Sequence, residues 1–87
     1  MNDKSLRFYS TADIHVAAAL LCIGHKLEDV RRSQPKFGHR AKAIFCFQES
    51  DALESDILDY TNDLIEVSPR MLFSRLRELK SMVHNLS

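Results

Sequence analysis

The fifteen residues from Ser10 to Gly24, STADIHVAAALLCIG, constrain this chain more than any other segment. They read as one helix. At about 100° per residue Ile14, Ala17, Ala18 and Leu21 fall on one side, while Val16, Leu20 and Ile23 fall on the opposite side. A helix that is apolar on opposed faces belongs in an interior. Its start is marked by Ser10 and Thr11, whose side chains can accept backbone N–H groups, and by Asp13 in the first turn, where negative charge favours the dipole. Gly24 marks its stop, because glycine takes the left-handed C′ conformation at little cost, and His25 and Lys26 follow near the negative end of the dipole. The chain is short enough to be a single domain, residues 1–87, and one of that size buries only ~60–65% of its unfolded surface. Cover for the helix must therefore come from every other element, or from a second copy of the chain.

The remaining elements are punctuated by turn and cap residues. Lys26 to Arg32 carries Leu27 and Val30 as its apolar members and reads as a strand, leading into a loop with Pro35 and Gly38. The next segment places Ala41, Ala43, Phe45 and Phe47 on one face and Ile44 and Cys46 on the other. It is apolar on both faces in its second half, which predicts a covered strand paired to the preceding one across the loop from Ser33 to Arg40. Ser50 caps a second helix that carries Leu53, Ile57 and Tyr60 or Leu64 at spacings of three and four, with Asp51 and Glu54 in its first turn and Asn62 as terminator. Leu64, Ile65 and Val67 then bridge to Ser68 and Pro69, a cap followed by proline at N1. In the third helix Leu72, Leu76, Leu79, Val83 and Leu86 form the inner stripe, Phe73 and Met82 widen it, Arg70, Ser74 and Arg77 share the far side, and the end falls near Asn85.

The expected fold is thus α+β: helix, β-hairpin, helix, helix, with a small antiparallel sheet. An isolated hairpin is marginal in water. Leu6 to Tyr9 is expected to add an edge strand, and a homodimer formed through the sheet edge or through helix faces would supply further cover.

Composition bears on function chiefly through what it excludes. Net charge is zero, but residues 1–48 sum to +4, residues 49–66 to −7 and residues 67–87 to +3. An acidic helix lying beside basic neighbours accounts for that pattern. The longest apolar run, Val16 to Ile23, is far below the ~20 residues that a spanning helix requires, so no membrane role is expected. The segment MNDKSLRFYS has no apolar h-region, and Cys22 and Cys46 lie in apolar runs, which together predict a cytoplasmic protein with reduced thiols. Gly24 and Gly38 are the only glycines, which leaves no material for a phosphate-cradling loop.

Four chemical readings compete. His15 and Cys22 line up on one side of the first helix with His25 close by, and with His39 and Cys46 they contain the atoms of a zinc site, but no tight pair of ligands occurs. Core cysteines and surface histidines are the plainer account, and no cofactor or metal is expected. A nucleophilic Cys22 or Cys46 served by His25 or His39 needs exposure that apolar runs do not give. Asp56, Asp59 and Asp63 line one helical edge as solvated charge, with no cleft to pair them for acid–base work. Arg31, Arg32, Lys36, Arg40 and Lys42, with Phe37 and His39 interleaved, form a basic hairpin suited to nucleic acid. The neutral net charge and the acidic helix oppose that reading.

A partner surface is the remaining candidate. Leu72, Phe73, Leu76, Leu79 and Val83 on the third helix, flanked by Met71 and Met82, would serve self-association or an unidentified protein partner.

Phe8 and Tyr9, then Ser10, Thr11 and Asp13, Gly24 and His25, Phe45 and Phe47 with Glu49, and Leu76, Arg77, Leu79 and Lys80 occur in an order that resembles a family of small bacterial and phage domains of unassigned function, over residues 8–84. The longer loop from Ser33 to His39 departs from the tighter turn of that family. The resemblance implies a compact stand-alone domain and carries no catalytic residue to transfer. The function expected from the sequence is a small non-catalytic interaction module that self-associates as a dimer. A nucleic-acid-binding accessory protein using residues 31–42 is the alternative.

Overall fold

Six elements follow one another in the computed structural model, which describes residues 7–33 and 42–86. They are β1 (Phe8–Thr11), α1 (Ile14–Ile23), β2 (Leu27–Arg32), β3 (Ala43–Gln48), α2 (Asp51–Thr61) and α3 (Pro69–His84). The fold is α+β in the expected order, and the additional N-terminal strand is present. It lies at Phe8–Thr11 rather than at Leu6 to Tyr9, and Leu6 falls outside the described residues.

The sheet runs β1-β3-β2, with both pairs antiparallel. Central position explains why β3 is apolar on both faces. Phe45 and Phe47 enter the core. Cys46, pointing the other way in the alternation of the strand, is also buried, with its Sγ 3.5 Å from the Ser10 hydroxyl. β2 had an awkward pattern, because Leu27 and Val30 are three residues apart and a regular strand would send them to opposite faces. A register shift between Leu27 and Asp29 resolves this: Leu27 pairs with Phe47 and Val30 with Phe45, so both lie beside inward-facing residues.

The capping of α1 differs from expectation. Ser10 and Thr11 are the second half of β1, and Asp13 is the N-cap, its carboxylate accepting the N–H groups of His15 and Val16. Thr11 supports this turn by accepting the Asp13 N–H at 3.0 Å. Gly24 ends the helix in the left-handed region, at φ 118°. Ser50 and Ser68 cap α2 and α3 as expected, with Pro69 in the first turn of α3.

α1 lies against both α2 and α3 and touches β1. Its Ala17, Ala18 and Leu20 share one cluster with Phe45, Phe47, Leu53 and Leu79, and Ile14, Val16 and Leu21 pack against that cluster. This placement is the physical reason for a helix apolar on opposed faces: the sheet and two helices cover it within one chain. Ile23, at its end, is 37% exposed and is the exception.

Candidate functional site

The two edges of the sheet differ in kind. β2 carries Glu28, Asp29, Arg31 and Arg32 and a register shift, features that discourage a further strand from adding there. β1 reads Phe-Tyr-Ser-Thr, with neither charge nor proline and no register shift against β3. The backbone directions of β1 follow from its register. Glu49 donates its N–H to the Arg7 carbonyl at 3.1 Å, and Phe8 faces Gln48, Tyr9 faces Phe47, Ser10 faces Cys46 and Thr11 faces Phe45. Antiparallel pairs alternate between bonded and non-bonded, so Arg7, Tyr9 and Thr11 turn their N–H and C=O groups toward β3. Phe8 and Ser10 turn theirs outward along the edge. Both residues are exposed, Phe8 by half of its surface.

That spacing is self-complementary. A second β1 laid antiparallel about a twofold axis at Tyr9 sets Phe8 opposite the Ser10 of the other copy, and closes four backbone hydrogen bonds while leaving those to β3 intact. The Phe8 ring then lies on the outer sheet face beside the Ser10 of the other copy.

The helical stripe named from the sequence is turned inward. Leu79 is fully buried, and Leu72, Leu76 and Val83 are half-buried against the core, so these four serve the fold of one chain. Phe73 stands apart at 61% exposed, and Met71 and Met82 are exposed as well.

Of the basic hairpin, Arg31, Arg32 and Lys42 are exposed, and Lys36, Phe37, His39 and Arg40 lie outside the described residues. The Arg31 Nε donates to the Asp29 carboxylate at 2.8 Å, a bond that holds the Asp29 carboxyl below its ordinary range. Ser33 and Lys42 close the strand pair, the Ser33 N–H donating to the Lys42 carbonyl and the Lys42 N–H to the Ser33 hydroxyl.

The residues considered for metal or nucleophilic chemistry are dispersed. His15 is exposed with its Nδ1 3.5 Å from Asp13, Cys22 is half-buried, and Cys46 lies on the far side of the sheet from the core. Burial pushes the Cys22 thiol up, and nearby Arg75 only partly opposes this. No three His, Cys, Asp or Glu side chains among the described residues are placed to hold a metal ion.

Two polar contacts escaped the sequence reading. His25, just past α1, sits 2.6 Å from the Asp56 carboxylate on α2, with both side chains largely covered, and ties the end of one helix to the middle of the next. Thirty-one residues separate the pair, and Asp56 looked like one more acid on a solvated edge. Glu49, after β3, shares a hydrogen bond with Glu54; that bond and the charge of Glu49 hold the Glu54 carboxyl above its ordinary range, while Arg7 opposes them. No helix among the described residues is long and apolar enough to cross a membrane.

No curated protein and no solved structure matches the chain. A family model described as "Domain of unknown function (DUF5659)" matches residues 6–85. That span takes in all six elements, the β1 edge and the His25–Asp56 contact. The chain therefore belongs to the DUF5659 family, whose function is unassigned.

Proposed function

We propose that this chain is a non-catalytic interaction module that pairs with a second copy of itself through β1. The observation that carries the reading is the outward alternation of Phe8 and Ser10 on an edge without charge, proline or register shift. Four backbone hydrogen bonds contribute roughly 0.5–1.5 kcal/mol each. Covering the exposed half of Phe8 adds about 1 kcal/mol. Together these give at most about 7 kcal/mol against a cost of association of at least ~4 kcal/mol, so the pairing is weak and reversible, with a dissociation constant in the millimolar range. Thiols that are buried or raised, rather than activated, support the non-catalytic side of the reading.

Sedimentation equilibrium across that range tests it. The wild-type chain is expected to dimerise with little sensitivity to salt. Ser10→Pro removes an outward N–H that β3 does not use, and proline is tolerated on an edge strand; this variant is expected to stay monomeric with an unchanged circular dichroism spectrum. Ser10→Lys, which charges the same edge, is expected to do likewise. A wild-type chain that is monomeric throughout, or folded variants that dimerise undiminished, would overturn the proposal.

A second reading rests on the exposure of Arg32 and Lys42 at the ends of the strands that the basic loop joins. It makes this hairpin a nucleic-acid contact. The Arg31–Asp29 bond weakens it by occupying one of the cations. Salt-dependent retention of DNA or RNA that Arg31→Ala with Arg32→Ala abolishes would put this reading first.

A further inference from the structure

A cleft of about 630 Å³ opens to solvent between α1, the end of α2, the segment 62–68 and the start of α3. Ala19, Ile65, Val67 and Leu72 give it an apolar lining that is buried or half-buried. Tyr60 adds an aromatic ring, and Asp63 an exposed carboxylate. His15 and Thr61 complete the lining, and no Lys or Arg is among those residues.

Two further observations concern charge. The Tyr60 phenol is pushed up by burial first and then by the charges of Asp13 and Asp63, and of these two acids Asp63 lines the cleft beside Tyr60. Asp63 also holds a left-handed backbone, φ 60°, and is the one non-glycine residue to do so among those described. Glycine takes that conformation at lower cost. Aspartate tolerates it as well, and brings a carboxylate to the edge of the cleft.

We infer that this cleft binds a small organic cation, an amine on an apolar body, with the ammonium near Asp63 beside Tyr60 and the body against Ala19, Ile65, Val67 and Leu72. The volume falls in the range of small-molecule sites. A cation over an aromatic face, partly withdrawn from water and near a carboxylate, is attracted by the ring and by that charge. A carboxylate ligand of the same shape is repelled by the Asp63 carboxylate. This inference stands apart from the pairing of β1 and does not depend on it.

The test is an amide chemical-shift titration of the full chain with 2-phenylethylammonium and, separately, 3-phenylpropionate. The amine is expected to give saturable shifts confined to the cleft, at Ala19, Asp63 and Leu72 among others, and the carboxylate none. Asp63→Asn, which keeps a side chain that tolerates the left-handed conformation, should weaken the amine about fivefold. Equal binding of the carboxylate, undiminished binding by Asp63→Asn, or the absence of saturable shifts would overturn the inference.

Discussion

Replacing Asp63 by glycine is expected to make the protein more stable. α1 and α2 end in the same hydrogen-bonded motif. In α1 the His25 N–H donates to the Leu20 carbonyl at 3.0 Å and the Gly24 N–H to the Leu21 carbonyl at 3.1 Å. In α2 the Leu64 N–H donates to the Asp59 carbonyl at 2.8 Å and the Asp63 N–H to the Tyr60 carbonyl at 3.2 Å. Each motif needs one left-handed residue. α1 uses glycine for it and α2 uses aspartate. An L-residue pays roughly 1–2 kcal/mol for that conformation, with aspartate at the low end. Removing a carboxylate from the negative end of a helix contributes a further 0.3–1 kcal/mol or so. The greater freedom of glycine in the unfolded chain takes back about 0.4–1 kcal/mol. The balance is a gain of about 1 kcal/mol, which in a domain of this size raises Tm by roughly 4–8 °C. Asp63→Asn removes only the charge and should gain less. Gly24→Ala runs the comparison in reverse: a Cβ at Gly24 meets nothing within 4 Å, so its expected loss is conformational alone, about 1–2 kcal/mol of left-handed strain less the 0.4–1 kcal/mol regained in the unfolded chain, or about 1 kcal/mol. Urea denaturation followed by far-ultraviolet circular dichroism gives all three values. Asp63→Gly at or below wild-type stability, alongside the expected loss for Gly24→Ala, would refute the reasoning. The gain should also come with weaker amine binding in the cleft, a trade between stability and function.

Three other substitutions probe separate parts of the fold. Leu20→Asp sets a charge at a position 1% exposed in the core cluster; its cost of at least ~3–5 kcal/mol is comparable to the whole stability of a small domain, so helical signal should be lost, whereas Ile23→Asp, at the exposed end of the same helix, should melt cooperatively. His25→Ala deletes the contact to Asp56 and should lower stability by about 1–2 kcal/mol in urea titrations; an unchanged midpoint would mean the contact holds nothing together. Glu54→Gln tests the raised carboxyl. A carboxyl whose folded pKa exceeds its unfolded value contributes stability below the unfolded pKa and loses it as pH rises through the folded one. The variant should therefore melt above wild type at pH 7, with the difference gone once the pH drops below the ordinary glutamate range.

Local signals were legible in the sequence because they are decided by neighbouring residues. Ser50, Ser68 with Pro69, and Gly24 mark the helix ends where the structure has them. The alternation of Ala43, Phe45 and Phe47 gave the inward face of β3. What the sequence hid depends on distant partners. Ser10 and Thr11 are good cap residues in the abstract, yet pairing with Cys46 and Phe45 draws them into β1 and leaves Asp13 to cap α1. The three-residue step from Leu27 to Val30 is intelligible only with the register shift against β3. The sequence left open whether α1 is covered by the rest of the chain or by a second copy, for a similar reason: α2 and α3 both pack on it, which removes the need for a second copy at that helix. The case for self-association moves from the helices to the sheet. The cleft was out of reach altogether, because the segment 62–68 that shapes it has no periodicity to read.

Amide hydrogen exchange along β1, measured in dilute and concentrated solution, tests the central claim most directly. In the monomer the Tyr9 and Thr11 amides face β3 and the Phe8 and Ser10 amides face solvent. Pairing through β1 should slow exchange at Phe8 and Ser10 as concentration rises and leave β2 unaffected. Phe8 and Ser10 amides that exchange at the same fast rate at every concentration would contradict it.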